Sequence, residues 1–359
     1  MGQYVSKKEL SFFSEYERFI RDSRSGRRLQ LNGKKISAGT IANYSFTLRL
    51  IQKFCFKKEF VLRIRPTRWL NTRDLEVERN YWNKFYRKFT SYLYDECGFF
   101  DNYTGQNIKN IRTFFNYLKK YRAIGAGDFQ KQFYVRREEI AIFPLMPEEL
   151  NFLVYNEPFE NSLSKRMKEV KDFFVFGCTV ALRFSDLNRL QKNNIRQVNG
   201  QYYLIVKSVK TAVDTLIKLP PYAVAILQRY TRLRKRLLPP FNLTNMNKYI
   251  KVLLENALFV QTVQITRSRR GETVELKNEE VSRSSYRFCD VASTHTMRRT
   301  AITTMLSLGV PEQVVRKISG HAPNSKEFYR YAFWAQTYQD QETERMFEKL
   351  EGKVLQTVS

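Results

Sequence analysis

Apolar residues recur at helical spacing through most of the first 120 positions. Residues 7–23 predict a first helix, followed by a Ser/Gly/Arg-rich turn region through Gly33. A second helix is expected from about Ser37 to Lys57, with Ile41, Tyr44, Leu48, Ile51 and Cys55 on one stripe. Trp82, Phe85, Phe89, Tyr92 and Leu93 mark a third, and Ile108, Ile111, Phe115 and Leu118 a fourth. Lys109, Arg112, Lys119 and Arg122 flank the fourth stripe, so the pattern is an all-helical domain with basic outer faces. Periodicity lapses over 123–146, which reads as a basic, extended linker with Gly125, Gly127 and Pro144. Pro147-Glu148-Glu149 then opens a new helix, its carboxylates in the first turn where the macrodipole favours them.

Beyond that point the pattern changes character. A buried helical run at 173–182 leads to a strand pair around 201–206 and 215–219, further helices, and a hairpin within 260–276. The expected fold class is mainly α with a small β component (α+β). The expected organisation is a helix and basic turn region over 1–35, a helical domain over 36–125 and a linker over 126–146. A second domain follows over 147–335, and then a C-terminal helix or tail over 336–359.

Composition adds a partner. The 359 residues carry a formal charge of +27. The excess is present in both halves, with 29 Lys/Arg against 14 Asp/Glu in residues 1–140 and 33 against 21 in the remainder. Aromatics make up 14% of the chain and are interleaved with the charges, which argues for a folded protein rather than a disordered polycation. A polyanion is the expected partner, nucleic acid ahead of a membrane surface. Cys55, Cys97, Cys178 and Cys289 show no CxxC or zinc-ligand spacing and read as reduced residues of a cytoplasmic protein. No apolar run approaches the roughly 20 residues of a membrane span, and no secretory signal is visible. Residues 1–6 match the short myristoylation pattern only loosely.

The chemistry concentrates in residues 294–331, which hold both histidines of the chain, His295 and His321. Thr294 is an acceptable N-cap, and Met297, Ala301, Thr304 and Leu308 form the expected buried stripe. His295 and Arg298, at i and i+3, can project from the first turn towards one bound group. Gly309 closes this helix, Pro311 opens the next at its first position, and Gly320 ends it with His321 at the exit. Helix termini with an arginine beside a histidine suit an anion, most simply a phosphate.

Taken in order, Arg183 within RFSDL, Lys210 on a hairpin, His295-x-x-Arg298, Gly320-His321 and a following tyrosine resemble the tyrosine recombinase (phage integrase) family, mobile-element type. The resemblance covers about 145–335, and the first domain looks like the family's SAM-like core-binding domain. It implies site-specific cleavage and rejoining of double-stranded DNA for integration, excision or inversion, by a homotetramer on paired sites. An accessory DNA-bending protein is a further partner that it admits. An additional amino-terminal arm-binding domain is not expected, since only about 35 residues precede the core-binding pattern.

The residue types suit that reaction. Arg183 and Arg298 can clamp the non-bridging oxygens of a phosphodiester with planar, permanently charged forks. His321 can donate a further hydrogen bond to the same group, and His295 is suited to handle the phenol proton. Lys210 would protonate the departing 5′-oxygen, as the resemblance implies. A phosphotyrosyl intermediate stores the bond energy for rejoining, so neither ATP nor a metal cofactor is required.

Three features depart from the family pattern. Ala181 stands where a glycine is common, Met297 where a leucine is, and the commonest spacing from the last histidine lands on Arg330. The nucleophile is then Tyr331 or Tyr329, about 200° apart on a helix. The F-x-x-Y ending from Phe328 to Tyr331 favours Tyr331, and Pro323-Asn324 can absorb the extra residue. A type IB topoisomerase-like relaxing enzyme and a catalytically silent DNA-binding regulator are the alternatives on the same scaffold. In the tail, Met346, Phe347, Leu350 and Val354 form an apolar stripe among five acids and three bases over 332–359. Such a helix can fold back on its own catalytic domain or, as the resemblance implies and as is preferred here, dock on a neighbouring protomer.

Overall fold

The computed structural model describes residues 9–207, 214–276, 285–322, 325 and 328–350. The chain divides into two compact units, one of residues 1–140 with 266–276, the other of 141–265 with 277–359.

Four helices build the first unit: α1 (Phe12–Ser25), α2 (Ala38–Lys57), α3 (Thr72–Ser91) and α4 (Asp101–Arg122). Ser11, Ser37 and Asn71 cap the first three, each side chain accepting a backbone N–H from the first turn. The core between them is largely aromatic. Trp82 meets Phe115 edge-on at 4.9 Å, Tyr16 lies 4.7 Å from Phe114, and Phe85 stacks on Phe89 at 5.4 Å. Leu10–Ser11 pairs with Arg63–Ile64 as a two-residue antiparallel ladder. Lys109 and Lys119 on α4 are exposed, whereas Arg122 is tied to Glu15 at 3.1 Å.

Two departures from the sequence reading stand out in this unit. The expected linker is partly core: a 3₁₀ turn at Phe129–Gln132 buries Phe129, and Phe133 is fully buried and stacks on Tyr86 at 5.3 Å. Two aromatic anchors in irregular backbone leave no periodic signal, which is why the stretch reads as extended. The hairpin of Thr266–Arg269 and Glu272–Glu275, expected within 147–335, belongs to the first unit. Its turn residues Arg270 and Gly271 both have positive φ, 58° and 90°. Glu138, its side chain fully buried, accepts from Arg267 Nη2 at 2.7 Å and from the Ser268 N–H. Asp101 accepts the N–H groups of Arg270 and Gly271, each at 2.9 Å. Burial alone would raise the Glu138 carboxyl; the Arg267 fork and the backbone N–H groups outweigh it and hold the group below its usual value.

The second unit contains α5 (Pro147–Tyr155), α6 (Glu157–Ser162), α7 (Lys165–Val180), α8 (Phe184–Leu187), α9 (Pro221–Arg229) and α10 (Leu243–Asn256). It continues with α11 (Phe288–Val291), α12 (Thr294–Ser307), α13 (Glu312–Ser319) and α14 (Tyr329–Leu350). Its sheet has three antiparallel strands in chain order, Ile195–Val198, Gln201–Lys207 and Asp214–Lys218. The first of these went unseen because its residues are mostly exposed and do not alternate.

Helix α12 is packed by α7 and by α14, so its burial is not a single stripe. Met297 and Ala301 are buried as expected, but Leu308 is 67% exposed, while Arg298, Ile302 and Thr303 are buried too. Its N-cap is Ser293, one residue earlier than expected, and Pro311 caps α13 rather than opening it. Helix α14 runs unbroken through the expected boundary at 335. No helix of the described residues is long and apolar enough to cross a membrane.

The α7–α12 contact depends on Gly177. A Cβ there would lie 2.5 Å from Met297 Sδ and 3.1 Å from Met297 Cβ. Met297 is fully buried and cannot swing aside from its own Cβ. Gly177→Ala should therefore cost about 1–3 kcal/mol, read as a lower urea midpoint at unchanged slope.

Candidate active site

Helix α7 ends in a left-handed residue. Ala181 has φ 54°, ψ 18°, and turns the chain so that Arg183 leads into the short α8. That backbone conformation is what favours glycine here. The Ala181 methyl does find space, packed with Ala301, Ile302, Val315 and Phe328 in a small apolar cluster. The carbonyl exposed by the turn is used as well: Arg298 Nη1 donates to Ala181 O at 2.8 Å.

Arg298 projects from α12 and is only 6% exposed. Burial, and then the charge of Arg183 beside it, push its guanidinium down to about 10, still protonated at neutral pH. Tyr331 and Asp186 act in the opposite sense on the same group, so both lie within its electrostatic reach. Burial lowers the neighbouring Arg299 too, with Tyr331 again opposing.

Gly320, φ 64°, ends α13 and delivers His321 to Arg298. Arg298 Nη2 is 3.4 Å from both ring nitrogens. Only a position over the ring face satisfies both distances, because an equidistant point in the ring plane would collide with Cε1. Ser319 Oγ lies 2.7 Å from both His321 Nδ1 and Val315 O. Ser319 therefore fixes the Nδ1 edge of the imidazole, with either atom able to carry the shared proton.

Tyr331 lies in the first turn of α14, its ring centroid 5.9 Å from that of His321. Phe328, fully buried, touches both rings at 5.4 and 6.0 Å. Tyr329 is 60% exposed and turns towards Arg316. Of the residues singled out from the sequence, Arg183, Arg298, His321 and Tyr331 thus converge. His295 is exposed on the first turn of α12, one turn ahead of the buried Arg298. Lys210 and Pro323-Asn324 lie outside the described residues. Sequence reasoning missed the carbonyl of Ala181, for which only the glycine preference was a hint, and Ser319, which carries no spacing signal.

The sequence profile described as "Phage integrase family" matches residues 154–334. No curated protein matches the chain. Among solved structures it is similar to a lambda integrase dimer bound to a COC' core site, at 13% identity and TM-score 0.57, over 94% of this chain and 79% of that one. A lambda integrase tetramer bound to a Holliday junction matches at 13% and 0.57, over 91% and 78%. The Tn1549 transposon integrase in complex with circular intermediate DNA matches at 14% and 0.54, over 90% and 95%. At these identities the likeness is one of fold.

The left-handed turn at Ala181 supports a quantitative expectation. Relieving its strain gains roughly 1–2 kcal/mol, while a lost buried methyl and the unfolded freedom of glycine together cost a similar amount. Ala181→Gly should therefore change stability by no more than about 1 kcal/mol, whereas Ala181→Val, branched at the same φ, should cost about 2 kcal/mol or more. Denaturation midpoints of the two variants check both figures.

Proposed function

The chain belongs to the phage integrase family and is a site-specific tyrosine recombinase, and on that premise we propose which residues carry its chemistry and in what assembly it works. The supporting observation is the meeting of Arg183, Arg298, His321 and Tyr331 at one place in the second unit.

The substrate is a phosphodiester of double-stranded DNA. The Tyr331 phenol attacks the phosphorus in line, the bond to the 5′-oxygen breaks, and a 3′-phosphotyrosyl linkage and a free 5′-hydroxyl result. Charge grows on the non-bridging oxygens, where the Arg183 and Arg298 guanidiniums stabilise it. Before DNA arrives these two cations repel each other in a half-dry site; a phosphate between them turns that repulsion into attraction. His321, held by Ser319 and stacked under Arg298, donates a hydrogen bond from Nε2 to the phosphoryl group, with Ser319 Oγ donating to its Nδ1. His295 takes the phenol proton, and Lys210 gives one to the departing 5′-oxygen. Rejoining is the reverse attack by a 5′-hydroxyl of the exchanged strand, so no external energy source is needed.

Strand exchange requires several protomers, and we assign it to a homotetramer on paired sites in the cytoplasm. Along α14, Ala335 is buried and Gln339 Nε2 donates to the carbonyls of Leu306 and Ser307, each at 3.4 Å. The first half of the helix therefore folds back on α12. Further along, Met346 and Phe347 are 47% and 53% exposed, and this apolar pair is the part offered to another copy.

Two experiments test the proposal. On a nicked suicide substrate, Tyr331→Phe should abolish the covalent adduct and Tyr329→Phe should retain it, with DNA affinity unchanged in both and adduct formation by the unmutated protein persisting in excess EDTA. Adduct retained by Tyr331→Phe, or cleavage that needs added magnesium, contradicts the scheme. Truncation after Gln339 should leave single-site binding intact while synapsis of paired sites on native gels and recombination both fall. Normal synapsis by the truncated protein removes the role assigned to the end of α14. Supercoil relaxation without Holliday junctions in the full-length protein would indicate a topoisomerase-like activity instead.

A further inference from the structure

Arg316 lies in the last turn of α13, five residues before His321, and its side chain is 7% exposed. A guanidinium so deeply buried must have its donors occupied or be costly. Its Nε donates to Glu312 Oε1 at 2.6 Å. Its Nη1 donates to the carbonyl of Ala322 at 3.1 Å and to that of Ser325 at 3.4 Å. Its Cζ lies 4.0 Å from the centroid of Phe328 and 5.4 Å from that of Tyr329. Nη2 is buried without a hydrogen-bond partner among the described residues.

All of these contacts except Glu312 fall on the segment that connects His321 to the start of α14. Stability alone does not explain a buried cation here, because an apolar side chain of the same length would fill the space without the desolvation cost. A guanidinium does what an apolar side chain cannot: its Nη1 holds the carbonyls of Ala322 and Ser325 together while its flat face covers the next aromatic ring. That ring is Phe328, whose aromatic neighbours are His321 and Tyr331.

We propose that Arg316 is a positioning residue that holds Ala322, Ser325 and Phe328 ahead of α14, so that Tyr331 rather than Tyr329 is delivered to Arg183 and Arg298. The inference rests on the reading of Tyr331 as the nucleophile. Tyr329 and Tyr331 point to opposite sides of α14, so the register of its first turn decides which phenol faces the arginines. Arg316 fixes that register twice, through the backbone before α14 and through the Phe328 ring at its start. It also stands beside Tyr329. Arg316 does not touch the reacting atoms and acts only through the tyrosine.

The test uses the full-length protein and a nicked suicide substrate, with the adduct rate, the adduct peptide and DNA affinity measured together. Arg316→Met preserves length and apolar volume but removes every donor. It should bind DNA with unchanged affinity, form adduct roughly a hundredfold more slowly, and distribute part of that adduct to Tyr329. Arg316→Lys keeps a charged donor for the carbonyls but loses the flat face over Phe328 and the separate Nε donor to Glu312, and should recover part of the rate. Glu312→Gln, which loosens the anchor of Arg316, should fall between the wild type and Arg316→Met. A purely structural role would lower stability and affinity together without moving adduct between tyrosines. Adduct on Tyr331 at the wild-type rate in Arg316→Met overturns the proposal. Should that variant fail to fold, wild-type rates in both Arg316→Lys and Glu312→Gln overturn it. The unmutated protein separates the two readings: if its adduct maps elsewhere than Tyr331, the nucleophile assignment fails and takes the role of Arg316 with it; if it maps to Tyr331, only the role of Arg316 is at stake in the variants.

Discussion

Two guanidinium groups, those of Arg183 and Arg298, are held close enough for each to feel the other, one of them almost wholly buried. Like charges so placed repel, and desolvation adds to the cost. The fold tolerates the pair because rigid elements fix both ends of it. Arg183 follows a left-handed residue that no longer belongs to α7, and Arg298 is tied by its own Nη1 to the carbonyl of that same residue. The turn that aims one arginine therefore supplies the acceptor that restrains the other. In the proposed reaction a phosphate relieves the repulsion, and the site is ordered in advance for a charge that arrives with the substrate.

The rest of the second unit serves this constraint. Helix α12 can approach α7 closely only because Gly177 has no side chain to oppose Met297. The cluster of Ala181, Ala301, Ile302, Val315 and Phe328 joins the residues next to Arg183, Arg298, Arg316 and Tyr331 into one apolar support. Each of those polar side chains is thus one to three residues away from an anchored apolar neighbour. This spacing lets a charged group be precisely aimed while its backbone is held by packing.

Much of this was legible from residue order. The helical stripes of the first unit follow from 3.6-residue periodicity, and Tyr44, Leu48, Ile51, Trp82, Phe85 and Phe89 are buried as that pattern requires. The four residues that converge were all named from their motifs. What escaped did so for physical reasons. Phe133 anchors irregular backbone, where no period exists to reveal it. The hairpin at 266–276 joins the first unit through Glu138 and Asp101, partners more than a hundred residues distant in sequence. Arg316 stands four residues after Glu312 and so looks like one half of an ordinary surface ion pair. Only the fold shows that its guanidinium is buried against Ala322, Ser325 and Phe328.

The distribution of acids bears on how a chain of formal charge +27 presents itself to DNA. Several carboxylates do not oppose the field at the surface, because they are buried and matched inside. Glu78 is fully buried against Arg63 at 2.6 Å. Asp172 is 1% exposed and takes Arg229 at 3.0 Å, and Glu160 takes both Lys171 and Arg229 at 2.6 Å. Glu138 is closed over by Arg267. Glu78, Asp172 and Glu138 are each more deeply buried than the arginine they pair with, and Arg229 stays 45% exposed, so acids are thinned among the bases at the surface. Internal pairing, which holds the hairpin and the helices in place, therefore also leaves fewer carboxylates to face a polyanion. Binding of DNA to such a surface should weaken steeply with salt, because each phosphate that a base neutralises releases counterions.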